Sequence, residues 1–206
     1  MEKNNCVEVG FRLDKDLEFY HDMLISNGFD NVYNCETRDI YWSCKEFAGM
    51  SENEIKRSCV RYRSSKGFGG TLYDKDSIPM SGFQNYLVFD NLAEDRFRCP
   101  EEDLYLFEDK FNKYYWKKVF DTKKVDYQYS KGDMKSRIQL QVIENLGLVL
   151  YYDNPDYYHL ESEEQRNKLI DELNSYGFNF KYSDLGIDKL RTFYEGKECF
   201  SLNQNG

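Results

Sequence analysis

Proline is scarce in this sequence: 3 residues in 206 exclude a proline-rich stalk or linker. Histidine is scarcer still, with His21 in a helical stretch and His159 in a loop. The two are far apart and read as structural rather than as metal ligands or bases. The 6 cysteines, Cys6, Cys35, Cys44, Cys59, Cys99 and Cys199, form no C-x-x-C pair, which argues against a zinc ribbon or thioredoxin-type motif. They read as free thiols in a reducing compartment. No run of 18 apolar residues exists, so no transmembrane helix is expected. The N-terminus, Met1-Glu2-Lys3-Asn4-Asn5, runs straight into a charged strand-like segment and does not resemble a secretory signal. The expected location is the cytoplasm.

What the chain does have is charge and aromatic surface. Charged residues make up 32%, with 28 basic against 37 acidic and a formal net charge of −9. An acidic chain is repelled by nucleic acid and by anionic membrane, so neither is an expected partner, although a local basic cavity remains compatible. Aromatics reach 17%, with 18 Tyr and 15 Phe, a composition that suits pleated, half-buried surfaces. A length of 206 residues predicts one domain, residues 1–206, with a core large enough to need no disulfide.

Along the chain, residues 6–13 alternate strictly: Val7, Val9, Phe11 and Leu13 on one face, Glu8, Gly10 and Arg12 on the other. An amphipathic helix is predicted over about 15–26, stopped by Asn27-Gly28. Strands are expected over 32–42 and 56–63, then a Gly- and Ser-rich loop or hairpin tip over 64–82. A strand near 85–91, a helix near 101–113, and long strands over 115–129 and 136–153 follow, with turn signals at Ser130-Lys131-Gly132-Asp133 and Glu144-Asn145-Leu146-Gly147. A last helix is predicted at about 162–176, with Ser162 as N-cap and Gln165 completing a capping box. The class is α+β with strands dominant. Arg61 and Arg63 share one strand face, and Arg137, Gln139 and Gln141 share another. Such alternation fits either a solvated sheet face or a sheet curled around a polar lumen.

The order of these pieces resembles the CYTH family, the triphosphate tunnel metalloenzymes, which include class IV adenylate cyclases, thiamine triphosphatases and inorganic triphosphatases. Glu8-Val9-Gly10-Phe11-Arg12 resembles the family's E-x-E-x-K strand, Asp39-Ile40-Tyr41 its D-x-Y, and Arg61-Tyr62-Arg63 its R-x-R. Gln141 to Gly147 followed by Leu148 to Asp153 resembles its L-G turn leading into E-x-E. The resemblance covers residues 6 to about 180, with 64–115 matching poorly. It implies a closed antiparallel barrel of eight strands with helices packed outside. Inside it, Arg12, Arg61, Arg63 and, around a partial K-x-R match, Lys123 would meet a triphosphate. Glu8 and Asp153 would serve as catalytic carboxylates and as ligands to Mg²⁺ or Mn²⁺. Guanidinium groups pair with phosphate oxygens bidentately and keep their proton, and Mg²⁺ takes hard oxygen donors. The departures are all on the metal side: Gly10, Gln141 and Tyr151 stand where the family carries acids. The expected function is binding of a small-molecule triphosphate, whether nucleotide, thiamine triphosphate or tripolyphosphate, with metal-dependent hydrolysis or cyclisation. A catalytically impaired binding protein and a plain interaction domain with a filled barrel are the other readings.

Overall fold

The computed structural model describes residues 7–47, 49–67, 83–89, 95–132 and 134–186, with the backbone alone described for 52, 53, 56, 83–89 and 95–98. The strands are β1 (Val9–Arg12), β2 (Asp30–Ser43), β3 (Val60–Gly67), β4 (Phe83–Phe89), β5 (Asp95–Arg98), β6 (Lys117–Ser130), β7 (Arg137–Ile143) and β8 (Gly147–Asp153). The helices are α1 (Leu17–Ser26), the short α2 (Glu52–Arg57), α3 (Leu104–Lys113) and α4 (Ser162–Ser175). The strands make one antiparallel sheet in the order β1-β8-β7-β6-β2-β3-β4-β5. Residues 68–82, expected to form a loop or hairpin tip, lie outside the described residues, while β3 itself runs on to Gly67.

The sheet is not closed, which corrects the barrel expected from the sequence. Closure requires the edge strands to exchange ladder bonds. Among the described residues β1 pairs with β8 and β5 with β4, and both edges are 4 residues long. The outward carbonyl of Gly10 instead accepts from the N–H of Gly186 at 3.2 Å. The chain beyond α4 therefore takes part of the edge that a barrel would use.

One face of the sheet is apolar and carries most of the helices. Val9 and Phe11 on β1, Leu150 and Tyr152 on β8, and Ile138 and Leu140 on β7 are buried with Leu24 of α1 and Leu169 and Leu173 of α4. Phe11 stacks on Phe180 at 3.9 Å between ring centroids. Further along the same face, Ile40, Trp42, Val60 and Tyr62 are covered by Leu104, Phe107 and Phe111 of α3. On the opposite face, one end is closed by Tyr41 and Phe120 packing against Phe47 and Ile55 of α2 and its approach. The middle of that face is polar.

Local signals explain the boundaries. Asp16 caps α1, its Oδ1 accepting from the Phe19 N–H at 2.9 Å. Asn145 and Gly147, both at positive φ (64° and 95°), build the β7–β8 turn. The capping box at α4 does not form. The N-cap is Glu161, and Gln165 is 1% exposed. Its Oε1 accepts from the Val7 N–H at 3.3 Å and its Nε2 donates to the Leu160 carbonyl at 2.7 Å. A glutamine read as a local cap thus ties α4 to the approach of β1.

Candidate functional site

Strand register decides which side chains share the polar face, because a period of two alternates the faces. On β3, Arg61 is opposite Tyr41 and Arg63 opposite Asp39. Across β2, Asp39 faces Thr122 and Thr37 faces Lys124 of β6. Asp126 then pairs with Gln141 of β7, Gln139 with Tyr151 of β8, and Arg137 with Asp153. Gly10 lies opposite Tyr151 and Arg12 opposite Val149. Arg12, Arg61, Arg63, Gln141 and Asp153 therefore share one face, and Glu8 stands next to β1 beside the Val9–Tyr152 pair.

Lys123 does not join them. It is opposite Arg38, so it lies on the helix-bearing side, where it lines a groove of about 590 Å³ with Glu36, Arg38, Ser64, Val142 and Glu144. The cation that β6 presents to the polar face is Lys124, one residue on. The parity of this stretch is unreadable from sequence, because neither Phe120-x-Thr122-x-Lys124 nor Asp121-x-Lys123-x-Val125 forms a clean apolar row.

The centre of the face is built from two ion pairs. Arg63 donates from Nε and Nη2 to the two oxygens of Asp39, each at 2.6 Å. Asp39 is 4% exposed, whereas the Arg63 side chain is 32% exposed. Burial alone would raise the Asp39 pKa. The charge and hydrogen bonds of Arg63, with Lys124 and Arg61 nearby, outweigh it and hold the carboxyl below its ordinary value. Burial lowers and Asp39 raises the Arg63 pKa, with a net upward shift. The Nη1 end of Arg63 is left for another acceptor, since a guanidinium carries donors on all its nitrogens. Lys124 and Asp126 form the second pair, Nζ to Oδ2 at 3.4 Å, with side chains 9% and 10% exposed.

Around these pairs, Arg61 stands over the Tyr41 ring at 5.9 Å. Burial pushes the Tyr41 phenol well above its usual range, and Asp39 adds to the rise. Tyr33, on the approach to Cys35, is pushed up to about 12, first by burial and then by Cys35. Gln141 donates to Gln139 at 3.4 Å, and Arg137 to Gln128 at 3.3 Å. Oδ1 of Asp126 and Oγ1 of Thr122 are buried without a hydrogen-bond partner among the described residues. At the β1 edge Glu8 and Arg12 are exposed. Asp153 accepts from the hydroxyl of Tyr158.

Among the described side chains the face is nearly balanced rather than strongly cationic. Arg12, Arg61, Arg63, Lys124 and Arg137 stand against Glu8, Asp39, Asp126 and Asp153, one more cation than carboxylate. Among the described residues no group of three His, Cys, Asp or Glu is placed to hold a metal.

The backbone register adds a pair that the sequence reading missed. Arg63 is opposite Tyr86, which is opposite Arg98, and Arg61 is opposite Val88, which is opposite Arg96. Arg96-Phe97-Arg98 has the same R-x-R spacing as Arg61-Tyr62-Arg63. That repeated spacing was the available signal.

No protein-family model matches the chain, and no curated protein matches it in sequence. Solved structures do match. The PH1819 protein of Pyrococcus horikoshii OT3 superposes with a TM-score of 0.61 at 16% identity, covering 93% of this chain and 98% of that one. HpAC1 of Hippeastrum, a candidate adenylyl cyclase described as having a dominant triphosphatase activity, gives 0.54 at 12% identity over 93% and 96%. A candidate adenylate cyclase of Vibrio parahaemolyticus gives 0.53 at 10% identity over 92% and 97%. At these identities the likeness is one of fold.

Proposed function

We propose, from the CYTH-like fold of this chain, that its polar sheet face binds a small molecule bearing a triphosphate. The observation that carries this reading is that Arg61 and Arg63 on β3 and Lys124 on β6 share one sheet face on either side of β2, in a chain whose net charge is −9. Two structural neighbours are candidate cyclases, one of them with a described triphosphatase activity, and this supports the ligand class. Arg61 and Arg63 would contact the phosphates, with Asp39 positioning the Arg63 fork so that Nη1 faces the ligand. Arg12 at the β1 edge would extend the phosphate contacts.

Any Mg²⁺ or Mn²⁺ would arrive with the ligand and use Glu8 and Asp153 beside phosphate oxygens, since no group of three such ligands is found among the described residues. Binding is therefore the primary activity in this reading, and hydrolysis or cyclisation a weak one. The test is thermal unfolding with tripolyphosphate or ATP, each without and with Mg²⁺. A ligand that binds the folded state alone raises the Tm by mass action. The expected result is a rise that survives metal removal and is lost in the Arg61→Ala/Arg63→Ala variant. A double variant that responds like the wild type would overturn the assignment.

A further inference from the structure

The stretch from Lys110 to Lys118 reads Lys-Phe-Asn-Lys-Tyr-Tyr-Trp-Lys-Lys, four lysines without an acid in a chain of net charge −9. Phe111 and Trp116 turn inward, Phe111 lying 5.4 Å from Trp42 and 5.8 Å from Trp116. The rest turns outward. Tyr114 is 67% and Tyr115 86% exposed, and Lys110, Lys113, Lys117 and Lys118 are all exposed. On α3, Leu106, Lys110 and Lys113 follow the spacing of one helical stripe, opposite the packed Leu104, Phe107 and Phe111. Leu106 is 48% exposed. Among the described residues Lys110, Lys113 and Lys117 form no ion pair, while Lys118 shares Asp121 with Arg38.

Tyr115 has a φ of +64°, a left-handed conformation that disfavours any side chain. The chain thus holds a bulky ring in an unfavourable backbone geometry at the most exposed point of the turn, where it contributes nothing to the core.

We propose that this corner, the end of α3 and the start of β6, is a peripheral docking surface for an anionic lipid bilayer. Lysines near an anionic surface are attracted individually, and tyrosine rings settle at the headgroup level. Three free lysines together correspond to roughly a hundredfold gain in partition. The acidic exterior does not cancel this. Glu101, Glu102 and Asp103 precede α3, seven or more residues before Lys110, which is about 10 Å or more by helix rise against a Debye length of about 8 Å. Asp121 is occupied by Arg38, which leaves Glu108 and Asp109 as the near opposing charges on α3; they take back part of that gain but are fewer than the three free lysines. A single-stranded nucleic acid would need a groove that follows its backbone, and a projecting turn supplies none. No helix among the described residues is long and apolar enough to cross a membrane, so the contact is peripheral.

The test is co-sedimentation of the full chain with vesicles of phosphatidylcholine alone or mixed with phosphatidylserine. Binding is expected to the mixed vesicles alone, weakening as salt is raised. Lys110→Glu/Lys113→Glu/Lys117→Glu should reduce partition by at least a hundredfold. Tyr115→Gly removes the ring while relieving the left-handed backbone, so loss of binding in that variant cannot be assigned to unfolding. Arg61→Ala/Arg63→Ala should leave vesicle binding intact, which separates this surface from the triphosphate face. Equal binding to both vesicle types, or unchanged binding in the lysine variant, would overturn the proposal. So would lysine-dependent binding of a single-stranded oligonucleotide by a chain that ignores the mixed vesicles.

Discussion

Replacing Asp39 with Asn removes one charge from the buried pair at the centre of the polar face and changes little else in shape. In the wild type both oxygens of Asp39 accept from Arg63 at 2.6 Å, with Asp39 4% exposed. Removing one partner of a fully buried pair costs about 3–5 kcal/mol. The Arg63 side chain keeps 32% exposure, so water can re-solvate part of its charge, and the expected cost falls to about 2 kcal/mol. For a chain of this size that corresponds to a Tm lower by roughly 4–8 °C. The pH dependence has a fixed sign. The Asp39 pKa is lowered by folding, so its contribution is present above the ordinary carboxylate pKa and is lost as pH falls through the folded value. The deficit of Asp39→Asn should therefore be full at neutral pH and shrink in acid. The assay is thermal unfolding from pH 7 down to pH 3, without and with tripolyphosphate. The variant leaves Arg63 uncompensated, so the ligand should raise its Tm at least as much as it raises the wild type's. An unchanged Tm at neutral pH, or a deficit that grows in acid, would refute the reasoning about the pair. A ligand response lost in the variant would refute the reading of Arg63 as a phosphate contact in its own right.

Gln165→Ala leaves the Val7 N–H and the Leu160 carbonyl without their partner in a buried setting, at about 1–3 kcal/mol for each group. Faster amide exchange at Val7 and a lower Tm are expected. Introducing acids at the positions where the CYTH pattern carries them, with Gly10→Glu, Gln141→Asp and Tyr151→Glu, places a second carboxylate opposite Asp126. The folded triple variant should be less stable than the wild type without metal and regain stability with Mn²⁺; a Tm insensitive to Mn²⁺ would show that no metal site had formed. Tyr115→Gly relieves a left-handed backbone worth roughly 1–2 kcal/mol but adds chain entropy of about 0.5–1 kcal/mol, so unfolding should show a stability equal to or slightly above the wild type's.

The alternation at Val7 to Leu13 and the Arg61-Tyr62-Arg63 spacing determine by themselves which residues share a face, because strand geometry allows no other period. The helices at Leu17–Ser26 and Ser162–Ser175, and the turn at Asn145 to Gly147, were likewise legible from apolar stripes and turn residues. Arg96-Phe97-Arg98 carried the same spacing, but its place two strands from Arg61-Tyr62-Arg63 came from the register alone. Tertiary structure decided the rest. Lys124 rather than Lys123 reaches the polar face because β6 takes its parity from β2, more than 80 residues away in sequence, and not from any local pattern. Arg63 meets Asp39, and Gln165 reaches Val7, through pairings that local propensity cannot specify. Whether the sheet closes depended on the free edge of β1, and there the N–H of Gly186 takes the carbonyl of Gly10. Local sequence sets dihedral preferences and faces; which strand edge is satisfied by which distant donor is settled when the whole chain competes for it.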